Sequence, residues 1–290
     1  MHYTAKLVFL TPCFSHGSTD APEVRPSSIR GMLHHWFRIL GGSATQERLV
    51  FGGINFGKQS PFQDDSAGKV VVRVRHDANA DIGSFPTLPH KPDIDSSRTA
   101  FKPGHAFELL VFDRLGGLHE ADEALFRDSL EAWLLMGTLG FRATRAAGSF
   151  HFESSDFSEP STPSAYQFAC RDLLARRKAK MRVAILPQDY ADAEAARCLV
   201  SDSLGGRDHP QDSGNLGGLH DPLGKIFDGR KTSPLKYRIV RFGDAFRILA
   251  LWDDRTVVTG NQPSDLSGVI RLFQDRKPDL GRQLATAFGL

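Results

Sequence analysis

The sequence is poor in cysteine and in long apolar runs. Its 290 residues contain three cysteines, Cys13, Cys170 and Cys198, which are far apart and show neither CxxC nor mixed Cys/His spacing. An odd number of separated cysteines argues against a secreted disulfide framework and for a reducing compartment. No apolar run is long enough to span a bilayer, and the first residues have too short an apolar core for a signal peptide. We therefore expect a cytoplasmic protein without membrane partner, metal or other cofactor.

A large excess of charge of one sign is also missing. The chain has 36 Lys and Arg against 34 Asp and Glu, a formal net charge of +2. A nucleic-acid site, if there is one, must therefore come from local clustering of basic residues. With 40% hydrophobic and 24% charged residues, the composition is typical of a globular protein of one large or two ordinary domains.

Hydrophobic periodicity predicts a β-α-β-β-α-β order in the first half of the chain. The predicted strands are "YTAKLVFL", "GKVVVRVR", "AFELLVFD" and "GSFHFE". The predicted helices are "SIRGMLHHWFRIL" and "HEADEALFRDSLEAWLLMG". Long insertions follow the first strand and separate the second strand from the third. This order is that of the ferredoxin-like, or split βαβ, arrangement.

The second half of the chain gives a weaker version of the same pattern. A Ser/Pro-rich linker at residues 154–164 is followed by a helix, the strand "RVAIL" and a polar glycine-rich loop at 203–225. A hairpin turning at Gly243–Asp244 and two helical segments complete the chain. We predict an α+β fold with two ferredoxin-like (RRM-like βαββαβ) units at residues 1–157 and 158–290, the second degenerate.

The opening helix, residues 25–40, has two distinct faces. Its apolar residues recur at helical spacing, as a core-facing side requires. Arg30, His34 and Arg38 are spaced i, i+4 and i+8, and we call them the basic stripe. With Ser27 or Ser28 as N-cap, Arg30 falls in the first turn, where a cation opposes the helix dipole unless an anion binds there. The alternative is a solvated basic face.

The segment "GTLGFRATRAAGSF", residues 137–150, is the second candidate site, and we call it the glycine-rich turn. Small residues allow close approach of a ligand to the backbone, and Arg142 and Arg145 could hold phosphate oxygens in two places. The pattern is not GxxxxGK[ST], which argues against a Walker-type nucleotide site. The alternative is a helix C-cap at Gly137 or Gly140.

Two Ser-Pro segments form a faint internal repeat. "GKQSPF" contains Lys58 and Ser60, "FDGRKTSP" contains Arg230 and Lys231, and a basic strand follows each segment. The similarity indicates a degenerate duplication with two related sites. These four residues are further candidates for RNA contact.

Together these segments resemble proteins of the RAMP superfamily of CRISPR type III systems. Their order and spacing are most similar to the first-numbered RAMP subunit of the type III-B, or Cmr, effector complex. The positions that match the family's first motif and its glycine-rich loop are Arg25, Pro26, Ser28, Ile29, Arg30, Gly31, Leu33, Trp36, Arg38, Gly137, Gly140, Arg142, Arg145, Gly148 and Ser149. Thr138, Thr144 and Ala146 depart from the loop pattern.

The resemblance implies a non-catalytic subunit of an antiviral ribonucleoprotein. It would hold guide RNA near the 3′ end by backbone contacts, beside other RAMP subunits, and meet target RNA only indirectly. The RNA-binding residues expected on this view are Ser28, Arg30, Gly31, His34, Arg38, Lys58, Ser60, Arg142, Arg145, Arg230 and Lys231.

Two enzymatic alternatives stay open at the level of sequence. A metal-independent endoribonuclease that processes CRISPR RNA would use His16 or His34 as general acid or base and Lys58 as oxyanion stabiliser. A metal-dependent hydrolase would use Asp208 and Asp212, which lack a recognisable set of further ligands.

Overall fold

The computed structural model describes residues 1–18, 21–53, 66–75, 81–91, 93, 95–114, 117–203, 223, 233–255 and 266–290. In chain order the elements of this part are β1 (His2–Phe9), α1 (Pro26–Ile39), α2 (Ala44–Phe51), β2 (Val70–Arg75), β3 (Ile82–Pro86), β4 (Ser97–Phe101), β5 (Ala106–Asp113), α3 (Glu120–Met136), β6 (Phe150–Glu153), α4 (Pro163–Arg176), β7 (Met181–Ile185), α5 (Ala193–Ser203), β8 (Leu235–Phe242), β9 (Ala245–Asp253), α6 (Leu266–Arg276) and α7 (Pro278–Phe288). The predicted α+β class is confirmed.

The first sheet has the strand order β2-β5-β1-β6, and every neighbouring pair is antiparallel. β5 is an interior strand, as its largely apolar sequence predicts. The alternation along β1 sends Tyr3, Ala5, Leu7 and Phe9 to the buried face. That face packs against α1 and α3, so both helices turn their apolar sides to the sheet.

The predicted core face of α1 is confirmed. Ile29, Leu33 and Phe37 are fully buried, and Trp36 is nearly so. Complete burial of a side chain of this size stabilises the fold by about 1.5–3 kcal/mol. This face fixes the rotation of α1 and thereby decides where its polar residues lie.

Three elements of the first half, one helix and the two strands of a hairpin, were not predicted. α2 begins with a capping box, in which the Ser43 hydroxyl accepts the Gln46 backbone N–H and the Gln46 side chain accepts the Ser43 N–H. The insertion between the second and third predicted strands contains a hairpin, β3 and β4. Arg197 on α5 donates to the Pro86 carbonyl of this hairpin at 2.9 Å.

The second sheet has three described strands in the order β7-β9-β8, all antiparallel. The hairpin predicted at Gly243–Asp244 is confirmed. β2 and β8, the strands of the internal repeat, occupy equivalent edge positions in the two sheets. The turns of the internal repeat and most of the predicted loop at 203–225 lie outside the described residues. The boundary between two units at residue 157 stays a prediction. No helix in the described ranges has the length and apolarity needed to cross a membrane.

Candidate nucleic-acid interface

The start of α1 differs from the prediction. The helix begins at Pro26, and its N-cap is Arg25, which makes no capping hydrogen bond through its side chain. Proline suits the first helical position and keeps the residue before it extended, so it defines the boundary more strongly than the serines do. A cap at Ser27 or Ser28 is therefore wrong. Arg30 lies in the second turn, and the Ser28 N–H already donates to the Arg25 carbonyl at 3.0 Å.

Arg30 nevertheless lies beside a second cation, Arg114. Its guanidinium is half-buried beside Gly68, where an added Cβ would lie 3.2 Å from a terminal nitrogen. Burial, and then the positive charge of Arg114, lower the pKa of Arg30. In the described ranges no carboxylate pairs with it. Arg114 likewise has no carboxylate partner among the residues that the structure describes, and two neighbouring cations of this kind make a place where an anion would bind favourably.

The other two members of the basic stripe are bound to a carboxylate. Glu47 on α2 accepts hydrogen bonds from Nε and Nη2 of Arg38, at 2.8 and 2.6 Å, and contacts Nδ1 of His34. His34 also stacks on Phe51, with ring centroids 4.0 Å apart. Burial raises the pKa of Glu47, but the hydrogen bonds from Arg38 and His34 outweigh it and bring the pKa below its usual value. Arg38 stays accessible, since 60% of its side chain is exposed.

The glycine-rich turn packs against the segment that follows β1. At Gly140, φ is +93°, and an added Cβ would lie 2.8 Å from the Phe14 carbonyl oxygen. The Thr11 hydroxyl donates to the Ala146 carbonyl at 2.7 Å and accepts the Ser149 N–H at 3.0 Å. The glycines therefore allow two protein backbones to meet closely, rather than a ligand to approach.

The outer side of this turn presents an exposed aromatic ring that two guanidinium groups approach. Phe141 is 43% exposed. Arg98 on β4 lies over its ring at 5.4 Å from the centroid, and Arg142 lies over it at 4.9 Å. In such an arrangement a guanidinium plane or the exposed part of the ring can stack on a nucleobase, and the arginines carry the positive charge that attracts phosphates.

α1 and the glycine-rich turn meet, but not through the basic stripe. They face each other across a cavity of about 330 Å³, which we call the helix–turn cavity. Met32, His35 and Trp36 line it from α1. The opposite walls are Met136, Gly137, Thr138, Ala143, Thr144, Lys236, Tyr237 and Leu251. The two segments therefore meet on a face of the helix next to the basic stripe.

Two basic residues of β8 were missed as site residues. Lys236 Nζ lies 3.0 Å from Nε2 of His35 and 3.6 Å from a carboxylate oxygen of Asp253. Arg238 is fully buried and donates to the Gly137 and Phe150 carbonyls, each at 2.6 Å. Both residues lie within "SPLKYRIVR". Charged residues at inward-facing positions of an otherwise apolar strand were the signal in the sequence that could have identified them, because a buried charge needs specific partners.

The exposed face of the first sheet does not concentrate positive charge. Lys6 lies opposite Glu108 on one side and Glu153 on the other, and Arg75 also lies opposite Glu108. Arg73 covers the ring of Phe112 at 5.2 Å. Opposite charges on paired strands stabilise the sheet itself.

The remaining candidates are placed as follows. On α1, a Cβ added at Gly31 would have no atom within 4 Å. In the glycine-rich turn, the Arg145 N–H donates to the Arg142 carbonyl at 2.9 Å. The backbone of His16 pairs with that of Pro22. The candidates Lys58, Ser60, Arg230, Lys231, Asp208 and Asp212 lie outside the described residues. A convergence of His16, His34 and Lys58 thus stays a prediction.

Among described residues, no cluster of three His, Cys, Asp or Glu side chains could hold a metal.

Comparison with known proteins gives a family and a fold. The profile of the RAMP superfamily matches residues 6–151. No curated protein matches the sequence. Cmr1 from Pyrococcus furiosus, in its apo form, superposes with a TM-score of 0.60 at 16% identity, covering 95% of this chain and 97% of that chain. A chain of the type III-B Cmr-beta complex bound to cognate target RNA superposes with a TM-score of 0.62 at 11% identity, and the match covers 96% of this chain and 99% of that chain. At such low identity these likenesses show the fold alone.

Proposed function

This chain belongs to the RAMP superfamily, and from that premise we propose that it is a non-catalytic RNA-binding subunit of a type III CRISPR ribonucleoprotein effector. It holds guide RNA near the 3′ end by backbone contacts, lies beside other RAMP subunits, and meets target RNA through the guide. The fold shared with a chain of an RNA-bound Cmr-beta complex supports this assignment.

We further propose that both units are ferredoxin-like. When only the four strands of the first sheet are numbered, leaving out the β3–β4 hairpin, β2, β5, β1 and β6 have the antiparallel order 2-3-1-4. The three described strands of the second sheet follow the order 1-3-2. In both sheets strand 3 lies between strands 1 and 2. This shared order supports a duplicated unit whose second copy has lost part of the pattern.

The observation that carries the RNA-binding proposal is the exposed ring of Phe141 with the guanidinium groups of Arg98 and Arg142 over it. An exposed aromatic ring with flanking cations binds single-stranded nucleic acid without reading its sequence, because every base has a π face. The pair of Arg30 and Arg114 adds a second position where a phosphate would be stabilised. These features favour contacts to base faces and to the backbone.

The first experiment separates binding from catalysis. Purified protein is incubated with labelled single-stranded RNA, with and without a chelator. Binding without cleavage supports the proposal. Cleavage that survives the chelator and is lost in His16→Ala or His34→Ala would instead establish the metal-independent endoribonuclease, and cleavage abolished by the chelator would establish a metal-dependent hydrolase.

We predict that Arg30→Ala weakens binding of all RNA sequences to a similar degree. Because one phosphate contact is lost, the slope of log K against log salt should become less steep by about 0.7. Fluorescence anisotropy over a series of salt concentrations measures both quantities. Arg75→Ala, which removes an exposed arginine from the charge-balanced sheet face, should leave the slope unchanged. A change of sequence preference in Arg30→Ala would mean that Arg30 reads bases.

A further inference from the structure

The outward side of α4 carries a large apolar side chain in contact with solvent. The inward side of this helix is fixed, because Tyr166, Cys170 and Leu173 are buried. Phe168 therefore points outward, and 72% of it is exposed, more than of any other large apolar side chain in the described ranges. A single exposed apolar residue is ordinary, so the surface beside Phe168 decides whether it has a function.

A groove of about 380 Å³ lies between α4, β7 and the end of α7, and we call it the α4 groove. The buried side chains of Leu174 and Met181 supply apolar walls, and Phe288 lines it from α7. Arg171 and Ala175 line it from α4, and they follow Phe168 by three and seven residues. Residues at this spacing share one face of a helix, so Phe168 lies on the same side of α4 as the groove.

The cations of segment 171–182 are of two kinds. Those bound to carboxylates are Arg176, Arg177 and Arg182. Arg171, Lys178 and Lys180 are exposed, and in the described part of the chain none of these three has a carboxylate partner. The exposed acid beside them, Asp172, pairs with Arg176 at 3.4 Å. The surface around the groove therefore has an excess of positive charge that an acidic partner would balance.

Arg171 is held in place while its charge stays available. Its Nε donates to the Val183 carbonyl at 3.2 Å, and Val183 also lines the groove. A carbonyl accepts a hydrogen bond without neutralising the guanidinium. Arg171 thus offers a carboxylate a fixed donor at the rim, at little further cost in side-chain entropy.

The apolar walls favour a protein partner over RNA. Leu174, Ala179 and Met181 have no strong hydrogen-bonding group in their side chains. A nucleobase placed against them would bury its polar edge without partners, whereas an aliphatic side chain would bury apolar surface alone. The partner that fits both the walls and the rim is a polypeptide with aliphatic and acidic residues.

We propose that the α4 groove is a docking site for an acidic segment of a partner protein. Aliphatic side chains of this segment enter the groove, its carboxylates meet Arg171, Lys178 and Lys180, and Phe168 packs against it. An aromatic anchor beside an apolar pocket supplies most of the binding energy of many interfaces, and a charged rim adds specificity and speeds association. The inference concerns a protein partner and does not depend on RNA binding.

The test uses two fluorescein-labelled peptides and the full-length chain. Glutamate alternates with leucine in the first peptide, and lysine replaces every glutamate in the second. Fluorescence anisotropy should show at least about tenfold tighter binding of the acidic peptide, because like charges at the rim oppose the basic one. Lys178→Glu should weaken binding of the acidic peptide about fivefold, as the loss of an exposed ion pair predicts. Phe168→Ser should weaken it about tenfold, as the loss of an aromatic anchor predicts.

Arg241→Glu is the matched control. It makes the same change of charge on β8, which β9 separates from β7 in the second sheet. Two strand spacings are about 9.6 Å, and at physiological salt charges farther apart than about 8 Å are largely screened. This variant should bind the acidic peptide as the wild type does. Phe168 and Lys178 are exposed, so their variants should unfold at the wild-type temperature.

The other occupants give different results. If the two peptides bind equally or not at all, or if binding survives both substitutions, the docking site is refuted. If Lys178→Glu and Phe168→Ser weaken binding of single-stranded RNA and the acidic peptide does not bind, the groove takes RNA and the proposal is overturned. If the wild type sediments as a dimer that Phe168→Ser converts to a monomer, the occupant is a second copy of this chain, which also overturns it.

Discussion

Replacing Arg238 with methionine is expected to lower the free energy of unfolding by about 3 kcal/mol, because buried carbonyl acceptors lose their donor. Arg238 is carried by β8 and reaches the glycine-rich turn, where it donates to Gly137 and Phe150 and lies 4.4 Å from the centre of the Phe150 ring. The Gly137 carbonyl lies at the C-terminal end of α3, where a cation is favourable. No carboxylate pairs with this guanidinium in the ranges described, so these carbonyls and the ring stabilise its charge.

Urea denaturation followed by circular dichroism measures the effect. Arg241→Met is the matched control, because Arg241 lies on the same strand with an exposed side chain. A surface substitution of this kind should change stability by less than about 0.5 kcal/mol. If both variants were equally stable, the attachment of the turn to β8 by Arg238 would have no energetic importance.

Replacing Gly148 with alanine is expected to cost at least about 3 kcal/mol, because the new methyl group meets the backbone. An added Cβ would lie 1.8 Å from the Leu139 carbonyl oxygen. Relief requires the turn to open, which breaks the hydrogen bonds from Gly148 N–H to the Pro12 carbonyl and from Leu139 N–H to the Gly148 carbonyl. The midpoint of chemical unfolding should therefore fall sharply.

Gly243→Ala separates this clash from backbone strain. Gly243 has φ of +60°, close to the +63° of Gly148, but nothing lies within 4 Å of its added Cβ. Its cost should be that of a left-handed residue alone, about 1 kcal/mol. If Gly148→Ala and Gly243→Ala lowered the free energy of unfolding equally, the close packing of the turn against the chain after β1 would contribute nothing to stability.

The elements that the sequence predicted well are those with a strong hydrophobic period. β5, the hairpin of β8 and β9, and the core face of α1 follow directly from alternation or helical spacing. α2, β3 and β4 were missed because they have only eight, five and five residues. The capping box of α2 was a local signal that was overlooked, and the other stabilisation of these elements comes from contacts with distant segments. Local patterns contain little information about such contacts.

The candidate site was predicted in its segments but not in its geometry. Glu47 binds His34 and Arg38 of the basic stripe. It lies on α2, eight residues after the end of α1, and no rule of helical spacing connects it to them. The glycine-rich turn contains the expected glycines, but they serve backbone packing. Arg238 and Lys236 were overlooked because their partners, at Gly137 and His35, are about a hundred residues or more away in sequence.

The most direct test of RNA binding over the glycine-rich turn is photochemical cross-linking of single-stranded RNA, with the modified residues mapped by mass spectrometry. We expect the main cross-link at Phe141, with its loss in Phe141→Leu while the protein stays folded. Cross-links confined to the exposed face of β1 and β5, around Lys6 and Glu108, would contradict the account, because RNA would then lie on the open sheet.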